Sequence, residues 1–469
     1  MGILVIVCAS TGEWLGGTAT TGVSEYGFNY GISGAWYTIA NGIGTMFLAL
    51  CFAKLYRSIG TITVPGIIQK FFGMSARTVS SILLIIVMLA IGLSQMIAAG
   101  KLGQSLLGFD FTATCIVFAI IFIIYTLAGG MNAIASTNVM HLFVMYFGII
   151  LALVLTIIKI GGWSEFVSQV HEVEAAAAAE GAANDNYFNM FTIGMPKVSS
   201  WVIASLLGAC TAQAGIQPVL AAKNVPTARK ACIITAFIVA PFGFFSAILG
   251  IGAKVLSFQG NLLDTAGVNV VDGKAALFTL MMNLPSWAGG IIMASLLAAI
   301  LSTVSPIILG AGTMFTKDIY QERLKKDATD KQVLFMGRVT TAISGVICCI
   351  GAIFLVNMSA VLDIVYAAYS LRGALFIIVL FGIYTRFASQ KAACWSMVVT
   401  AVVAVAWVVI EMATGSYPIA SWFTETYAAV AAAAIFTCIF SFIFKPTEME
   451  RATKKKTMDE LHAVMQQNG

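Results

Sequence analysis

Long apolar stretches recur along the whole of this 469-residue chain, and they constrain its fold more than any other feature. Hydrophobic residues make up 59% of the sequence and charged residues 10%, whereas charged residues account for about 25% of an ordinary soluble domain. Because a backbone in lipid has to satisfy its own hydrogen bonds, apolar stretches of about 20 residues are expected to cross the membrane as α-helices. We therefore predict an all-α polytopic membrane protein with about twelve transmembrane spans, at residues 3–24, 33–55, 79–105, 111–128, 137–161, 200–220, 230–255, 285–315, 332–357, 360–384, 389–413 and 419–444.

The basic residues are distributed unevenly between the segments that connect these spans. If the amino terminus is cytoplasmic, twenty of the 26 Lys and Arg fall on the cytoplasmic side, five fall outside or at that boundary, and Arg372 lies within a span. Cytoplasmic segments of membrane proteins carry an excess of Lys and Arg. We therefore predict a multi-pass protein of the cell membrane, inner or plasma, with both termini in the cytoplasm. The net charge is +5, but the distribution of the basic residues carries the meaning here, and we expect no nucleic-acid partner.

Two of the predicted spans, the first and the sixth, are interrupted by polar or helix-breaking residues. The interruptions are Ser10, Thr11, Gly12 and Glu13 in span 1, and Thr211, Gln213, Gly215, Gln217 and Pro218 in span 6. Taken alone, each is also compatible with a simple Gly or Pro kink. Broken helices at corresponding positions of two halves are typical of transporters built from inverted repeats, in which unwound backbone and half-helix ends face the ion and the substrate.

The spacing of these interruptions predicts a five-plus-five inverted repeat with broken helices 1 and 6, followed by two C-terminal helices. We predict a ten-helix core at residues 1–384, with one repeat at 1–161 and the other at 200–384. Two peripheral helices then occupy 385–444, and a cytoplasmic tail occupies 445–469.

The eighth span carries several hydroxyl groups at membrane depth. Residues 298–320, AAILSTVSPIILGAGTMFTKDIY, place Ser302, Thr303 and Ser305 in an apolar helix that ends in a charged TKDIY segment. Polar groups in spanning helices usually face a cavity, another helix or an ion path. The alternatives are that these hydroxyls mediate helix packing or bond to carbonyls one turn earlier. Because no HExxH, GxSxG or GxxxxGK[ST] motif is present, we do not expect an enzyme.

Several motifs resemble those of the sodium:solute symporters, which share the leucine-transporter-type fold. The similar segments are, in chain order, ASTGEWLGGTATTG and YGISGAWY (9–22 and 30–37), GTITVPGIIQKFFG (60–73), YTLAGGMNAIASTNVMHLF (125–143), QPVLAAKNVPTARKA (217–231) and the AAILSTVSPIILGAGTMFTKDIY segment. They run from span 1 to span 8, so the resemblance covers most of the chain.

By this resemblance, a sodium ion is co-transported and binds between spans 1 and 8. Matching the motif residue by residue gives backbone carbonyls of Val7, Ser10 and Ala299 and side-chain hydroxyls of Ser302 and Thr303 as its ligands. Ala299, Ser302 and Thr303 have i, i+3, i+4 spacing and therefore share one helix face. Five neutral oxygens suit a hard monovalent cation, whereas Ca²⁺ prefers carboxylates. The lack of an acid among them also argues against a proton site.

The chain departs from the family pattern at several positions. Thr137-Asn138 stands at the start of span 5 where the family commonly has Thr-Asp, and His141 replaces a usual Gln. Pro65-Gly66 replaces a frequent Pro-Glu after span 2. Family members usually have one more helix before the broken one, whereas this sequence begins inside that helix's apolar run. Because the family's acid is associated with the inner route of sodium, Asn138 leaves the route of ion release open.

The solute is expected near the middle of the membrane, between the two interruptions. The candidate residues are Glu13, Trp14, Gln213 and Gln217, with Asn41 and Tyr369 as neighbours. Glu13 is the strongest candidate, because placing a carboxylate at the bilayer centre costs free energy and such residues are usually functional. The alternative for Glu13 is a structural hydrogen bond to unwound backbone, and the alternative for the aromatic residues is packing.

Span 10 contains two charged residues, Asp363 and Arg372. Both are candidates for a gate or an ion pair, with Glu13 as a possible partner of Arg372. The alternative is that the Arg372 side chain snorkels toward one membrane face.

Two longer connections separate groups of spans. Residues 162–199 contain an Ala run that favours a short surface helix, and we expect this segment to be structurally dispensable. Residues 256–284 contain a stretch with helical apolar spacing that is either a gate over a cavity or an ordinary connecting helix.

These patterns together predict a secondary active transporter that couples sodium entry to uptake of a small polar organic solute by alternating access. Spans 1, 2, 6 and 7 are expected to rock against spans 3, 4, 8 and 9. One sodium ion entering down ~100 mV gains roughly 2.3 kcal/mol from the voltage alone. The alternatives are a proton-coupled amino-acid transporter of the same fold and a solute sensor that does not transport. The expected partners are the solute and the lipid bilayer, without an obligatory protein partner.

Overall fold

The computed structural model describes residues 2–179, 186–264, 266–356, 361–385 and 387–467. Within these ranges the protein is built from helices and their connections, with one isolated β-bridge between Leu263 and Asn269. The helices are α1 (Ile3–Trp14), α2 (Val23–Tyr30), α3 (Trp36–Phe47), α4 (Ala53–Ile59), α5 (Val64–Phe72), α6 (Met74–Leu107), α7 (Phe111–Ile160), α8 (Trp163–Ala179), α9 (Met195–Gly208), α10 (Gln213–Leu220), α11 (Val225–Phe258), α12 (Gly273–Met282), α13 (Ser286–Met314), α14 (Asp330–Leu355), α15 (Val361–Tyr384), α16 (Gln390–Thr414), α17 (Glu425–Ile443) and α18 (Glu448–Gln467). Short π- or 3₁₀-helical segments are Thr18–Gly22, Gly31–Ala35, Leu48–Phe52, Ala209–Thr211 and Phe315–Leu324.

The number of membrane spans agrees with the prediction except at the amino-terminal end. Ten helical stretches of the described chain are long and apolar enough to cross a membrane, and a bent pair, Met195–Thr211 with Gln213–Leu220, makes an eleventh. The predicted spans 3–24 and 33–55 correspond to α1, which has only 12 residues, and to helical turns that run from Thr18 to Ile59. Gly31 interrupts that 42-residue run with a φ of 69°, so the run is not one straight helix.

Both predicted helix breaks are present, but the first lies later than expected. α1 stays helical through Ser10 to Glu13 and ends at Trp14, and Leu15 leaves the helical region with φ −107° and ψ 47°. The break in span 6 falls at Ala212, with φ −71° and ψ 93°, and bends the helix by 44°. The position of the first break is explained by Gly16, where a Cβ would lie 2.3 Å from the Thr303 hydroxyl oxygen.

Glycines also control how the other helices pass one another. Gly130, with φ 60° and ψ −174°, divides α7 into the two predicted spans 4 and 5. A Cβ on Gly27 of α2 would lie 2.3 Å from the Ala247 carbonyl oxygen, and one on Gly250 of α11 would lie 2.1 Å from the Ser24 carbonyl oxygen. Small residues allow such backbone contact between membrane helices. Helices α2 and α11 therefore pack closely against each other.

One end of the helical bundle, which we call the loop face, carries α8, α12 and the connection before α9. Phe166, Val170 and Val173 of α8 are buried, and the Tyr187 carbonyl accepts a hydrogen bond from the Ile32 amide at 2.7 Å. The segment 162–199, which we expected to be dispensable, is thus hydrogen-bonded to the 3₁₀-helical segment Gly31–Ala35 where it is described; residues 180–185 lie outside the described ranges. The opposite end, which we call the tail face, carries α4, α5, the start of α6 and the C-terminal helix α18.

Candidate functional site

The break after α1 is held by a glutamine from the neighbouring helix α6. Gln95 Oε1 accepts a hydrogen bond from the Gly17 amide at 2.7 Å, and Gln95 Nε2 donates to the Thr18 hydroxyl at 2.6 Å. Helix breaks in a membrane free backbone groups that need a partner. Gln95 supplies that partner and fixes the position at which α1 ends.

Three of the predicted sodium ligands lie together on α13. The Ser302 hydroxyl donates to the Ala299 carbonyl at 2.8 Å, and the Thr303 hydroxyl lies 3.3 Å from the same carbonyl. The Thr303 hydroxyl also bonds to the carbonyl of Gly12 on α1. The hydroxyls therefore adopt the bond to the preceding turn that was the alternative to a binding role, and Thr303 adds a contact across helices.

The other two predicted ligands, Val7 and Ser10, lie on α1, which is helical at both positions. Their carbonyls are thus not part of an unwound segment, contrary to our expectation, because the break begins only after Trp14. The Ser10 hydroxyl donates to the Gly215 carbonyl of α10 at 3.2 Å. α1 therefore contacts both α10 and α13 within one and a half turns.

Asn138 of α7 completes the contact between α1 and α13. Its Nδ2 donates to the Ser302 carbonyl at 3.2 Å, and its Oδ1 lies 3.3 Å from His141 Nδ1. A Cβ on Gly12 would come within 2.6 Å of Asn138 Nδ2 and 2.8 Å of the Ser302 carbonyl oxygen. The residue that replaces the family's usual acid is therefore buried directly beside the hydroxyl-bearing turn of α13.

Glu13 and Arg372 form a buried ion pair next to the break. The Glu13 side chain is 0% exposed and that of Arg372 1%. Nη1 of Arg372 donates to Oε1 of Glu13 at 3.3 Å, which is longer than the about 2.7–2.9 Å usual for such charge-assisted bonds. Because Arg372 pairs with Glu13 and is buried, the snorkelling alternative does not apply.

Much of the hydrogen-bonding capacity around this pair is unused. Among the described residues, Glu13 Oε2, Arg372 Nε, Arg372 Nη2 and both amide atoms of Asn41 have no hydrogen-bond partner. Buried polar atoms normally have partners, because leaving them without one costs free energy. A Cβ on Gly208 would lie 3.1 Å from Arg372 Nε and 3.7 Å from Nη2, so this edge of the guanidinium is buried against α9 without a hydrogen bond from the described residues.

Aromatic rings enclose the Glu13–Arg372 pair. The Arg372 guanidinium carbon lies 3.9 Å from the ring centre of Tyr369 and 5.3 Å from that of Trp14. These two rings meet edge to face at 6.2 Å. The Tyr369 hydroxyl lies 3.3 Å from that of Tyr37, one helical turn before Asn41 on α3. Trp14 and Tyr369 are thus brought next to Glu13, and Asn41 follows on the face of α3 that carries Tyr37.

The remaining predicted residues lie elsewhere. Gln213 accepts from the Val64 amide at 2.8 Å and donates to the Ile62 carbonyl at 3.2 Å, at the start of α5 on the tail face. Gln217 lines a cavity of about 30 Å³ with Ala9, Asn138 and Pro306, among others. Gln213 therefore binds the backbone at the tail face, whereas Gln217 lies beside α1, Asn138 and α13.

Asp363 is separated from Arg372 and belongs to the loop face. Its Oδ1 accepts from the Tyr26 hydroxyl at 2.6 Å and from Lys197 Nζ at 3.1 Å. These hydrogen bonds join α2 and α9, which carry Tyr26 and Lys197, to α15, which carries Asp363. The two charged residues of span 10 therefore serve two different sites.

A second buried ion pair lies at the tail face. Oδ1 of Asp318 accepts from Arg77 Nε at 2.8 Å, from Arg77 Nη2 at 2.6 Å and from the Thr63 hydroxyl at 2.9 Å. Arg77 Nη1 contacts Gln69 Oε1 at 2.7 Å and Glu322 Oε1 at 3.1 Å. Together with Gln213, this network fixes residues 62–64 between span 6 and span 8.

Gln95 and the Arg77–Asp318 network at the tail face were not predicted from the sequence. Gln95 is marked in the sequence by its place inside the apolar stretch of the 34-residue α6, because polar side chains at membrane depth need partners. Arg77 and Asp318 border the spans in the sequence, so nothing there distinguishes a buried pair from two solvated charges.

Comparison with known proteins agrees with this architecture. A model of the sodium:solute symporter family matches residues 1–400. The sodium/glucose cotransporter of Vibrio parahaemolyticus is 26% identical over 342 residues, which cover 70% of this chain and 63% of that protein. The high-affinity proline transporter PutP of Bacillus subtilis (strain 168) is 23% identical over 404 residues, which cover 81% of this chain and 79% of that protein.

Two solved structures have a similar fold. A Na⁺-coupled sialic acid symporter, in a substrate-bound outward-open state, superposes with a TM-score of 0.73 and 17% identity, covering 95% of this chain and 91% of that chain. Mhp1, a nucleobase-cation-symport-1 family transporter in a closed conformation with bromovinylhydantoin bound, gives 0.56 and 14% identity, covering 98% and 96%. Both have the leucine-transporter-type fold.

The fold therefore defines this chain as a multi-pass helical membrane protein of the leucine-transporter type, with broken helices 1 and 6. The match over residues 1–400 shows that it belongs to the sodium:solute symporter family. The chain spans 63% and 64% of the lengths of the sodium/glucose cotransporters of Vibrio parahaemolyticus and Danio rerio that it matches.

Proposed function

We propose that this protein imports a small polar organic solute across the cell membrane, driven by the entry of sodium. The observation that carries the proposal is the Glu13–Arg372 pair, which is fully buried beside a helix break and has unused donors and acceptors. An ionisable pair inside a membrane is costly and is usually retained for function. Family membership supports sodium as the driving ion.

The solute is proposed to bind to Glu13 Oε2 and to the Nε and Nη2 edge of Arg372, atoms that have no hydrogen-bond partner among the described residues. Arg372 Nε and Nη2 present two parallel donors, which suit a carboxylate or two hydroxyl oxygens. Glu13 Oε2 accepts a hydrogen bond from an amine or a hydroxyl. The solute therefore presents an acceptor and a donor together, as amino acids and sugars do. A solute that presents only carboxylates leaves Glu13 without a donor and is repelled by it.

Sodium is proposed to bind between α1 and α13, with Val7, Ser10, Ala299, Ser302 and Thr303 supplying oxygens. The contact between the Thr303 hydroxyl and the Gly12 carbonyl supports this position, since it brings the hydroxyl-bearing turn of α13 against α1. The ligand atoms are neutral oxygens on buried residues, which suits a monovalent cation. The Gly12 carbonyl is a further candidate ligand at the same place.

The test is uptake into proteoliposomes under an imposed sodium gradient, with a panel of amino acids, sugars, carboxylates and vitamins that includes proline and glucose. Sodium-dependent accumulation of one solute class is expected, together with sodium-dependent thermal stabilisation of the purified protein. Accumulation that follows a pH gradient and ignores sodium would instead support the proton-coupled alternative. Stabilisation by a solute without any uptake would support the sensor.

The sodium site is tested by the double variant Ser302→Ala, Thr303→Val, with Ser295→Ala two turns earlier on α13 as a matched control. Ser295 is buried and donates to the Ile292 carbonyl, so its removal reports on the loss of a hydroxyl in the same helix. Sodium activation should weaken strongly in the double variant and persist in the control. Equal sodium dependence in wild type and double variant would eliminate the proposed ligands.

The proposed orientation, with both termini in the cytoplasm, is tested with topology reporters. A reporter after Lys326 should be found in the cytoplasm, and one inserted in residues 172–179 of α8 should be found outside. The opposite result at either point contradicts the orientation and the repeat boundaries 1–161 and 200–384 that we propose with it.

A further inference from the structure

A second cavity lies on the other side of α15 from the Glu13–Arg372 pair. Its volume is about 300 Å³, it is lined by residues of α6, α9, α14, α15, α16 and α17, and it is partly open at the surface of the bundle, where Ile86 and Val405 are more than half exposed. The residues of α15 that line it are Asp363, Ile364, Ala367, Ala368 and Leu371, whereas Tyr369 and Arg372 take part in the Glu13 cluster. The cavity is therefore separate from the proposed solute site, although one helix borders both.

The cavity is polar at one end and apolar along the rest of its length. At the loop face it is lined by Lys197, Asp363, Glu411, Tyr417 and Glu425. Away from the loop face it is lined by aliphatic side chains, including the buried Val87 and Ala404 and the exposed Ile86 and Val405. Such a shape fits a ligand with a polar head directed to the loop face and an apolar body along α16.

The polar end carries an excess of negative charge. Three carboxylates, those of Asp363, Glu411 and Glu425, line the cavity together with a single ammonium group, that of Lys197. Lys197 and Asp363 are 3.1 Å apart and form one pair. Glu425 accepts a hydrogen bond from the Tyr417 hydroxyl at 2.9 Å, which does not neutralise its charge. Two of the three carboxylates are therefore left without a positive partner among the lining residues.

We propose that this cavity binds a small organic cation with an apolar body, of the aryl-alkylamine class. The ammonium head would lie between Glu411 and Glu425, and the apolar body would fill the aliphatic part of the cavity. Complementary charge selects such a ligand against anions and neutral molecules. A volume of about 300 Å³ is at the small end of the range of ligand cavities, so the ligand is expected to have about ten to fifteen non-hydrogen atoms.

The probe is radiolabelled 4-phenylbutylamine, with 4-phenylbutanol as a neutral molecule of the same shape. Binding is measured to the full-length protein in nanodiscs of phosphatidylcholine, and empty nanodiscs of the same lipid report partition into the bilayer. Phosphatidylcholine carries no net charge, so the amine is not concentrated at the lipid surface. We expect saturable binding of the amine above the empty nanodiscs, and weaker binding of the alcohol.

Two variants of the cavity have matched controls. Val408→Phe fills the cavity, whereas Val402→Phe makes the same change at a 63% exposed position of α16 that does not line it. Glu411→Gln removes one carboxylate from the polar end, whereas Glu322→Gln removes one from the tail face. Binding should be lost in Val408→Phe and weakened about fivefold in Glu411→Gln. It should be unchanged in both controls.

Several outcomes would overturn the proposal. One is a signal equal to that of empty nanodiscs, which means partition into lipid only. Another is binding of the amine no tighter than that of the alcohol, and a third is equal loss of binding in Val408→Phe and Val402→Phe. If Val408→Phe folds poorly, the comparison of Glu411→Gln with Glu322→Gln still decides the outcome, because neither changes side-chain volume appreciably.

Discussion

Two buried ion pairs cross this bundle, and they differ in how completely their hydrogen bonds are used. At the tail face all three guanidinium nitrogens of Arg77 have partners at 2.6–3.1 Å. Near the break in span 1, Arg372 uses one nitrogen, at 3.3 Å from Glu13. Within the described chain, the tail-face pair leaves only Asp318 Oδ2 without a partner, whereas the Glu13 pair leaves three polar atoms without one.

This difference in unused hydrogen-bonding atoms distinguishes a structural ion pair from a binding site. In the tail-face pair all three guanidinium nitrogens are engaged, so the arginine has no nitrogen left for a ligand, and removing its partner leaves an uncompensated charge. A buried pair with unused donors and acceptors is incomplete until another polar molecule joins it. We therefore interpret Arg77–Asp318 as an ion pair that stabilises the tail face. We interpret Glu13–Arg372 as the place where the solute binds.

The largest expected effect on stability comes from breaking the Arg77–Asp318 pair at the tail face. Asp318→Ala leaves Arg77 buried without its main partner, and removing one member of a buried pair costs about 3–5 kcal/mol. The free energy of unfolding should fall by this amount in a chemical denaturation experiment on the purified protein. Glu322→Ala is the control, because Glu322 is 41% exposed and contacts the same arginine; it should cost at most about 1 kcal/mol. A similar loss in the free energy of unfolding for the two variants would contradict a structural role of the Arg77–Asp318 pair.

The second prediction concerns the incomplete pair. Glu13→Gln keeps the shape of the side chain and removes its charge, so it should cost less stability than Asp318→Ala. Hydrogen bonds to charged groups contribute about 1.5–3 kcal/mol, so the apparent solute constant should rise roughly 10- to 150-fold. The sodium constant should change less. If both constants and the maximal uptake stay at wild-type values, and Glu13→Ala merely lowers expression, then Glu13 is a structural residue and the comparison fails.

The sequence was sufficient to predict the architecture, because apolar length and helix-breaking residues act locally. The all-α fold and the two broken spans follow from apolar stretches and from polar or glycine-containing interruptions. The exact position of the first break does not follow, because Gly16 and Gly17 are selected by contacts with Gln95 and Thr303 from distant parts of the chain. A close approach between two helices depends on both of them, so the sequence of one helix does not reveal where it occurs.

The candidate site was predictable only in part for a similar reason. Glu13 and Arg372 each stand out as charges inside apolar spans, so either is a candidate without any structure. Gln213 looked like a site residue because it interrupts span 6, yet its side chain binds the backbone at the start of α5. The direction that a polar side chain takes after a helix break depends on the neighbouring helices, and the sequence of one span does not contain it.

The third prediction follows from this position of Gln213. Gln213→Leu removes the acceptor for the Val64 amide and the donor to the Ile62 carbonyl. Leaving such buried groups without partners costs about 1–3 kcal/mol, so the protein should lose stability while its apparent solute constant stays within about twofold of wild type. Gln213→Glu, which keeps an acceptor for the Val64 amide, should recover part of the stability. A change of solute specificity in Gln213→Leu would return this residue to the solute site, as the sequence suggested.

The smallest effect concerns an exception at the tail face, where Lys454 of α18 is buried over the ring of Phe72 of α5, 5.2 Å from its centre. Its ammonium has no hydrogen-bond partner within the described residues, and burial lowers the pKa of Lys454 to about 8.

Because a lysine released from this contact has a pKa near 10.4, the undocked tail binds more protons than the docked tail between these two pH values. Docking of α18 should therefore strengthen as the pH rises, by about 1 kcal/mol from pH 7 to pH 9. Limited proteolysis of α18 at the two pH values measures this effect, after correction for the protease's own pH dependence with an unstructured peptide substrate; Lys456→Met, at a 79% exposed position, should keep the wild-type pH dependence. Lys454→Met should protect α18 equally at both pH values, and a pH dependence that survives in this variant would show that another group controls the docking of the tail.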